Sequence, residues 1–133
     1  MNHLGLPVTD PRRSVHFYQK YFDFDPTTAQ RYPDGTIIVR DAHGFDLALH
    51  AVEVAGEPPP FLHFGFRFAR PDDVRALRSR LEADGVQVVE AYDEPEYTAF
   101  KCLDPDGHRA EVYWEPPLSD ATSAANFPAA SNE

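Results

Sequence analysis

The sequence predicts an α+β chain built from two copies of one β-α-β-β-β module, and three observations carry that prediction. His3-Leu4-Gly5-Leu6 and His63-Phe64-Gly65-Phe66 share the pattern His-apolar-Gly-apolar, and a proline, Pro11 or Pro71, follows each histidine by eight residues. Val15, Tyr18 and Phe22 are answered by Val74, Leu77 and Leu81 at nearly the same spacing. Asp41-Ala42-His43-Gly44 is answered by Asp104-Pro105-Asp106-Gly107. A long repeat of this kind marks a duplicated supersecondary unit.

The first module spans residues 1–55. Leu4, Leu6 and Val8 alternate with His3, Gly5 and Pro7, which is strand periodicity over 2–8. Asp10 before Pro11 is a helix N-cap followed by the favoured first-turn proline. The helix runs to Phe22, with Val15, Tyr18 and Phe22 as its buried stripe. A strand is expected near 25–31. Tyr32-Pro33-Asp34-Gly35 supplies turn chemistry, then Thr36–Arg40 forms a strand, and Asp41–Gly44 turns into a last strand over Phe45–Val52.

Residues 61–115 repeat the order. Leu62–Phe68 is a strand. Pro71–Ala83 is a helix with acids in its first turn and Gly85 just past its end. Val86–Ala91 is a strand, Tyr92–Glu96 a loop, Thr98–Leu103 a strand, and Asp104–Gly107 turns into His108–Trp114. Gly56-Glu57-Pro58-Pro59-Pro60 is a stiff extended linker between the modules. The Ala-, Ser- and Pro-rich segment 116–133 is expected to be mostly flexible.

A net charge of −10 across 133 residues opposes binding to phosphate backbones, so nucleic acid is not an expected partner. No apolar run approaches the roughly 20 residues that span a bilayer. A single cysteine excludes an internal disulfide and fits a reducing, cytoplasmic setting. Open sheet edges call for cover, so a homodimer is expected.

Strand parity selects the chemistry. The Leu and Phe residues of the two opening strands pack on the helices, which turns His3 and His63 to the opposite sheet face. In the last strand Glu111 and Tyr113 share one parity, against Ala110, Val112 and Trp114. If both sheets curve around a common cleft, two imidazoles and a carboxylate look into it. That donor set suits divalent Fe, Mn, Ni, Co or Zn and leaves coordination positions open. Converging ionisable groups without a partner would each carry a desolvation cost. A salt bridge from Glu111 to Arg67 or Arg109 is the competing structural explanation. Arg67 and Lys101 share the cleft parity and are candidates to hold substrate charge, with surface ion pairs as the alternative. Tyr97 lies near the same face. Cys102 has the opposite parity and is expected to pack as an inert core residue. His16 and His43 are expected at the surface, and His108 in a turn.

His3-Leu4-Gly5-Leu6-Pro7-Val8-Thr9-Asp10, His63-Phe64-Gly65-Phe66 and the stretch Leu103 to Glu111, with its Asp-Pro-Asp-Gly-x-x-x-Glu pattern, resemble the vicinal oxygen chelate superfamily. This group includes glyoxalase I, fosfomycin resistance proteins, bleomycin-binding proteins and ring-cleaving dioxygenases. The resemblance covers about residues 2–115. It implies an open, pseudo-twofold barrel around a metal in a central cleft, with ligand positions on His3, His63 and Glu111. Some members carry a fourth ligand carboxylate, and Ala48 stands at that position, against glyoxalase I activity. Fosfomycin-inactivating members carry a hydroxyl where Gly5 stands. Ring-cleaving members place a histidine in the region of 90–103, where this chain has none. His50, two residues after Ala48, is a fourth ligand, a general acid–base or a rim residue.

The resemblance therefore implies a metal-dependent enzyme acting on a small substrate with neighbouring oxygens, by isomerase, lyase or oxygenase chemistry. His50 or Tyr113 would move protons, and Arg67, Lys101 and Tyr97 would hold the substrate. The alternative is a resistance protein that sequesters an aromatic ligand without catalysis, for which Phe45, Phe61, Tyr97, Phe100, Tyr113 and Trp114 are the aromatic candidates.

Overall fold

A computed structural model of the chain describes residues 1–118, so the expected flexible segment 116–133 lies almost wholly outside the described residues. The elements are β1 (His3–Val8), α1 (Pro11–Phe22), β2 (Asp25–Arg31), β3 (Ile37–Arg40) and β4 (Asp46–Ala51), followed by β5 (His63–Arg67), α2 (Pro71–Ala83), β6 (Val88–Glu94), β7 (Tyr97–Leu103) and β8 (Arg109–Trp114). They form two open four-stranded sheets with the same order, β1-β4-β3-β2 and β5-β8-β7-β6. In each, the first strand pairs in parallel with the last, and the other neighbours are antiparallel. No described helix is long and apolar enough to cross a membrane.

The duplicated turns show why the same residues recur. Asp41 Oδ1 accepts the backbone N–H groups of His43 and Phe45, each at 2.9 Å. Asp104 Oδ1 accepts those of Asp106 and His108, also at 2.9 Å. An aspartate two and four residues upstream can satisfy both donors of a tight turn into a strand. Gly44 and Gly107 then take the positive φ, 81° and 88°, that each turn requires.

Two elements differ from the sequence expectation. The buried face of α1 is wider than the Val15, Tyr18, Phe22 stripe: Ser14, Phe17, Tyr18, Tyr21 and Phe22 are buried, while Val15 is only half-buried. The cause is that α1 packs on both modules. The Phe22 and Phe66 rings stack at 4.4 Å, and Tyr18 lies 6.4 Å from Phe64, centroid to centroid. The second difference is β6, which continues through Tyr92, Asp93 and Glu94 where a loop is expected. The Arg75 guanidinium forks onto both Asp93 oxygens at 3.0 and 2.9 Å, which offsets the acidity of that run.

One hydrophobic core serves both modules. Leu6 and Val8 of β1, Leu47 and Leu49 of β4, and Ala110 and Val112 of β8 all enter it, with Phe64 and Phe66 packed against it. Polar contacts seal the seam. The Tyr18 hydroxyl donates to Asp104 Oδ2 at 2.7 Å inside the core. His108, buried, reaches the Pro7 carbonyl at 2.7 Å, and Thr9 donates its hydroxyl to Asp106 Oδ1 at 2.7 Å. Because both sheets turn their helix-bearing faces to this core, both histidine-bearing faces point away from it. Cys102 is fully buried, and burial pushes its thiol up to about 12.

Candidate metal centre

Strand alternation fixes the face on which each side chain of the second module stands. Along β5, His63, Gly65 and Arg67 are exposed while Phe64 and Phe66 turn inward. Along β8, Glu111 and Tyr113 stand on the outer face and Ala110 and Val112 are buried. In register, Gly65 pairs with Glu111, and Lys101 of β7 pairs with Glu111 from the other side. His63, Glu111, Lys101 and Tyr113 thus form one patch.

His63 is held by a backbone device. Phe61 has φ of 68°, in the left-handed region where a bulky residue is strained. This turns its carbonyl back onto His63 Nδ1 at 2.7 Å. A carbonyl can only accept, so Nδ1 carries the proton and Nε2 of the neutral ring carries a lone pair. Nε2 lies 3.8 Å from Glu111 Oε1. That is too long for a hydrogen bond, yet shorter than the roughly 4.2 Å that two metal–ligand bonds of about 2.1 Å can span.

Glu111 is oriented from its other oxygen. The Tyr97 hydroxyl lies 3.3 Å from Glu111 Oε2. Burial, and then the charge of Glu111, push the Tyr97 phenol up to about 12, so it stays a donor at neutral pH. Lys101 beside them donates to Glu90 Oε2 at 2.6 Å, and Lys101 followed by Tyr92 holds the Glu90 carboxyl below its usual range. Arg67 makes no ion pair with Glu111 among the described residues. It lies 3.0 Å from Glu115 Oε1 and stacks over the Tyr113 ring at 5.7 Å. Arg109 makes no ion pair with Glu111 among the described residues; the group facing Glu111 is His63.

His3 stands on the other sheet, exposed and opposite Asp46 in register. Within one chain the structure brings His63 and Glu111 together and does not bring His3 to them. Among the described residues no three of His, Cys, Asp and Glu gather closely enough to hold a metal ion. Around His3 the first module copies the second with altered chemistry. Ala48 pairs with Gly5 as Glu111 pairs with Gly65. A Cβ on Gly5 would meet His50 Nε2 at 3.3 Å, and one on Gly65 would meet the Tyr113 ring at 3.3 Å and Glu111 Oε1 at 3.5 Å. Both glycines are therefore gaps into which a ring from the neighbouring strand settles.

Of the other aromatic candidates, Phe100 is buried in the core, and Phe45 and Trp114 pack against it. Phe61 alone among these four is strongly exposed, at 88%. His16 and His43 are exposed, and Arg40 pairs with Asp46 at 2.8 Å. Sequence reasoning named Phe61 only as an aromatic candidate and did not identify its carbonyl as the partner of His63. Nothing local in the sequence marks Phe61 for a left-handed conformation.

Residues 1–112 match the family model of the Glyoxalase/Bleomycin resistance protein/Dioxygenase superfamily. The chain is 30% identical over 120 residues to a trivalent organoarsenical cleaving enzyme of Bacillus sp. (strain MD1), covering 84% of this chain and 71% of that protein. It is 30% identical over 117 residues to the glutathione transferase FosA of Serratia marcescens, covering 85% and 79%. The fosfomycin resistance protein FosX of Listeria monocytogenes, solved with Mn(II) and sulfate, shares the fold, with a TM-score of 0.72, 19% identity and coverage of 87% and 90%. The model match and the duplicated open sheets agree, and the chain belongs to the Glyoxalase/Bleomycin resistance protein/Dioxygenase superfamily.

Proposed function

We propose that this protein is a divalent-metal-dependent enzyme acting on a small substrate with neighbouring oxygens, in a site shared between two copies of the chain. His63 and Glu111 of one copy and His3 of the other would hold the ion. The observation that carries this is His63 Nε2 facing Glu111 Oε1 at 3.8 Å, with Phe61 and Tyr97 fixing each donor from behind. Outer partners of this kind orient metal ligands. The outward direction of both histidine-bearing faces supports a site between chains, because no bending of one chain around its own core brings them together.

The bound ion would act as a Lewis acid toward oxygen-bearing substrates. The protein's own groups do the rest. Tyr97 keeps Glu111 turned toward the cleft. Lys101, part of whose charge is spent on Glu90, lies beside Glu111 and attracts substrate anion. Arg67, tethered to Glu115, holds charge at the far end of the patch. Tyr113 and His50, each lying over a glycine, are the groups placed to pass protons.

Neither named activity of the two relatives transfers directly. A trivalent arsenical is a thiol-seeking group, and the sole cysteine, Cys102, is buried with its thiol pushed up to about 12. Gly5 lacks the hydroxyl of fosfomycin-inactivating members, and a Cβ there would press on the His50 ring at 3.3 Å. An isomerase, lyase or oxygenase of another small substrate is the activity class proposed.

The test is titration of the purified, metal-free chain with Mn(II), Fe(II), Ni(II) and Zn(II). Saturable uptake of one ion per chain, reversed by a chelator, is expected. Absence of uptake, together with chelator-indifferent binding of aromatic compounds, would instead make the protein a sequestering module.

A further inference from the structure

We infer that the groove between α1 and the β2–β3 edge of the first module is a second binding site, for a small organic anion with an apolar body. The groove lies on the helix-bearing side of its sheet, away from the histidine-bearing face, so the inference stands apart from the proposed metal centre.

The cavity measures about 600 Å³, within the range of small-molecule sites. Its floor is apolar: Ile37 is buried, and Val15 and Ala29 are half-buried. Arg12 of α1 and Arg31 of β2 stand at its walls. Arg31 pairs directly with Ile37, whose side chain enters the core. Directly opposed residues of an antiparallel pair share a face, so Arg31 also stands on the helix side. Among the described residues neither guanidinium pairs with a carboxylate. A chain of net charge −10 has acids to spare, yet no described Asp or Glu lines this cavity.

The second module shows what closes such a groove. Counted from Pro11 and Pro71, which open the two helices, Arg12 and Val15 stand where Asp72 and Arg75 stand. Across the sheets, the ladder Arg31, Ile37, Leu49, Leu6 corresponds to Ala91, Phe100, Val112, Phe66. Arg75 is held by Asp72 at 2.7 Å and crosses from α2 to Asp93 of β6 at 2.9 Å, so ion pairs within the module join helix to sheet. In the first module Val15 replaces the crossing arginine, Arg12 replaces the acid, and Arg31 replaces the alanine. The strap is gone, the floor is bared and the charge is inverted. A carboxylate or phosphate takes forked hydrogen bonds from guanidinium groups. The hydrocarbon attached to it would cover Val15, Ala29 and Ile37. Two unpaired cations beside an apolar floor therefore select an amphipathic anion over an inorganic ion or a neutral hydrocarbon.

The experiment titrates the full, metal-free chain with benzoate, phenyl phosphate, inorganic phosphate and benzyl alcohol, followed by two-dimensional proton–nitrogen NMR. Benzoate and phenyl phosphate should give saturable shifts centred on Arg12, Val15, Ala29 and Arg31, and the tighter of the two identifies the anionic group. Inorganic phosphate and benzyl alcohol each lack half of the recognition and should bind about tenfold more weakly. Arg12→Gln and Arg31→Gln combined should weaken the better ligand about tenfold or more, with circular dichroism unchanged because both side chains are exposed. Shifts that are absent, unsaturated or centred elsewhere overturn the site. So does equal binding of benzyl alcohol or inorganic phosphate, or undiminished binding by the doubly substituted chain. No metal is present, so failure here is distinguishable from failure of metal uptake.

Discussion

Replacing Glu111 with Gln lowers divalent-metal affinity more than about 100-fold while leaving the fold intact. The substitution keeps the shape of the side chain and its contact with the Tyr97 hydroxyl, but removes the anionic oxygen that faces His63 Nε2 at 3.8 Å. Loss of an outer partner alone typically costs about 10–100-fold in metal affinity, and loss of a ligand exceeds that. Competition with a chromogenic chelator measures the change, and circular dichroism checks that structure is retained. An unchanged affinity would mean that Glu111 serves only as a partner for His63.

Tyr18→Phe carries the largest expected effect on stability. The phenol ring is fully buried among Phe17, Phe22, Phe24 and Phe64, and its hydroxyl is the group that satisfies Asp104 Oδ2. Phenylalanine preserves the ring packing and leaves a buried carboxylate oxygen without its donor, at a cost of about 1–3 kcal/mol. Denaturant unfolding should show this as a lower midpoint with an unchanged slope. Burial, and then the charge of Asp104, push the Tyr18 phenol well above its ordinary value. The folded state therefore favours the protonated form. That contribution is complete below the ordinary phenol value of about 10 and is lost as pH rises from there toward the folded value. Wild-type stability should fall in that alkaline range, and Tyr18→Phe should flatten the fall.

The parts of the structure that were legible in the sequence are those fixed by local chemistry and repetition. The paired Asp-x-x-Gly turns, the Asp10–Pro11 helix start and the alternation along the opening and closing strands dictate elements and faces, and parity alone joined His63 to Glu111. What was not legible depends on contacts distant in sequence. The packing of α1 on both modules comes from Tyr18 meeting Asp104 and Phe22 meeting Phe66, and this directs the His3 face away from His63. Amphipathic spacing in one helix cannot report that it has two partners. Phe61 adopts a left-handed conformation that its residue type disfavours, so composition pointed away from it. Asp34 read as a turn residue and Thr36 as the start of a strand, and only the pairing of β3 with β4 brings the Thr36 hydroxyl to within 3.4 Å of His50 Nδ1.

The most direct measurement is reassortment between two inactive chains. His3→Ala and Glu111→Ala chains, each unable to hold metal alone, are mixed, partly unfolded to exchange subunits, refolded, and analysed for bound ion. If the site is shared, each mixed dimer has one intact centre, made by His3 of the Glu111→Ala chain and by His63 and Glu111 of the His3→Ala chain. Random pairing then restores about one quarter of the wild-type ion content. No restored uptake after demonstrated subunit exchange would contradict a centre divided between copies.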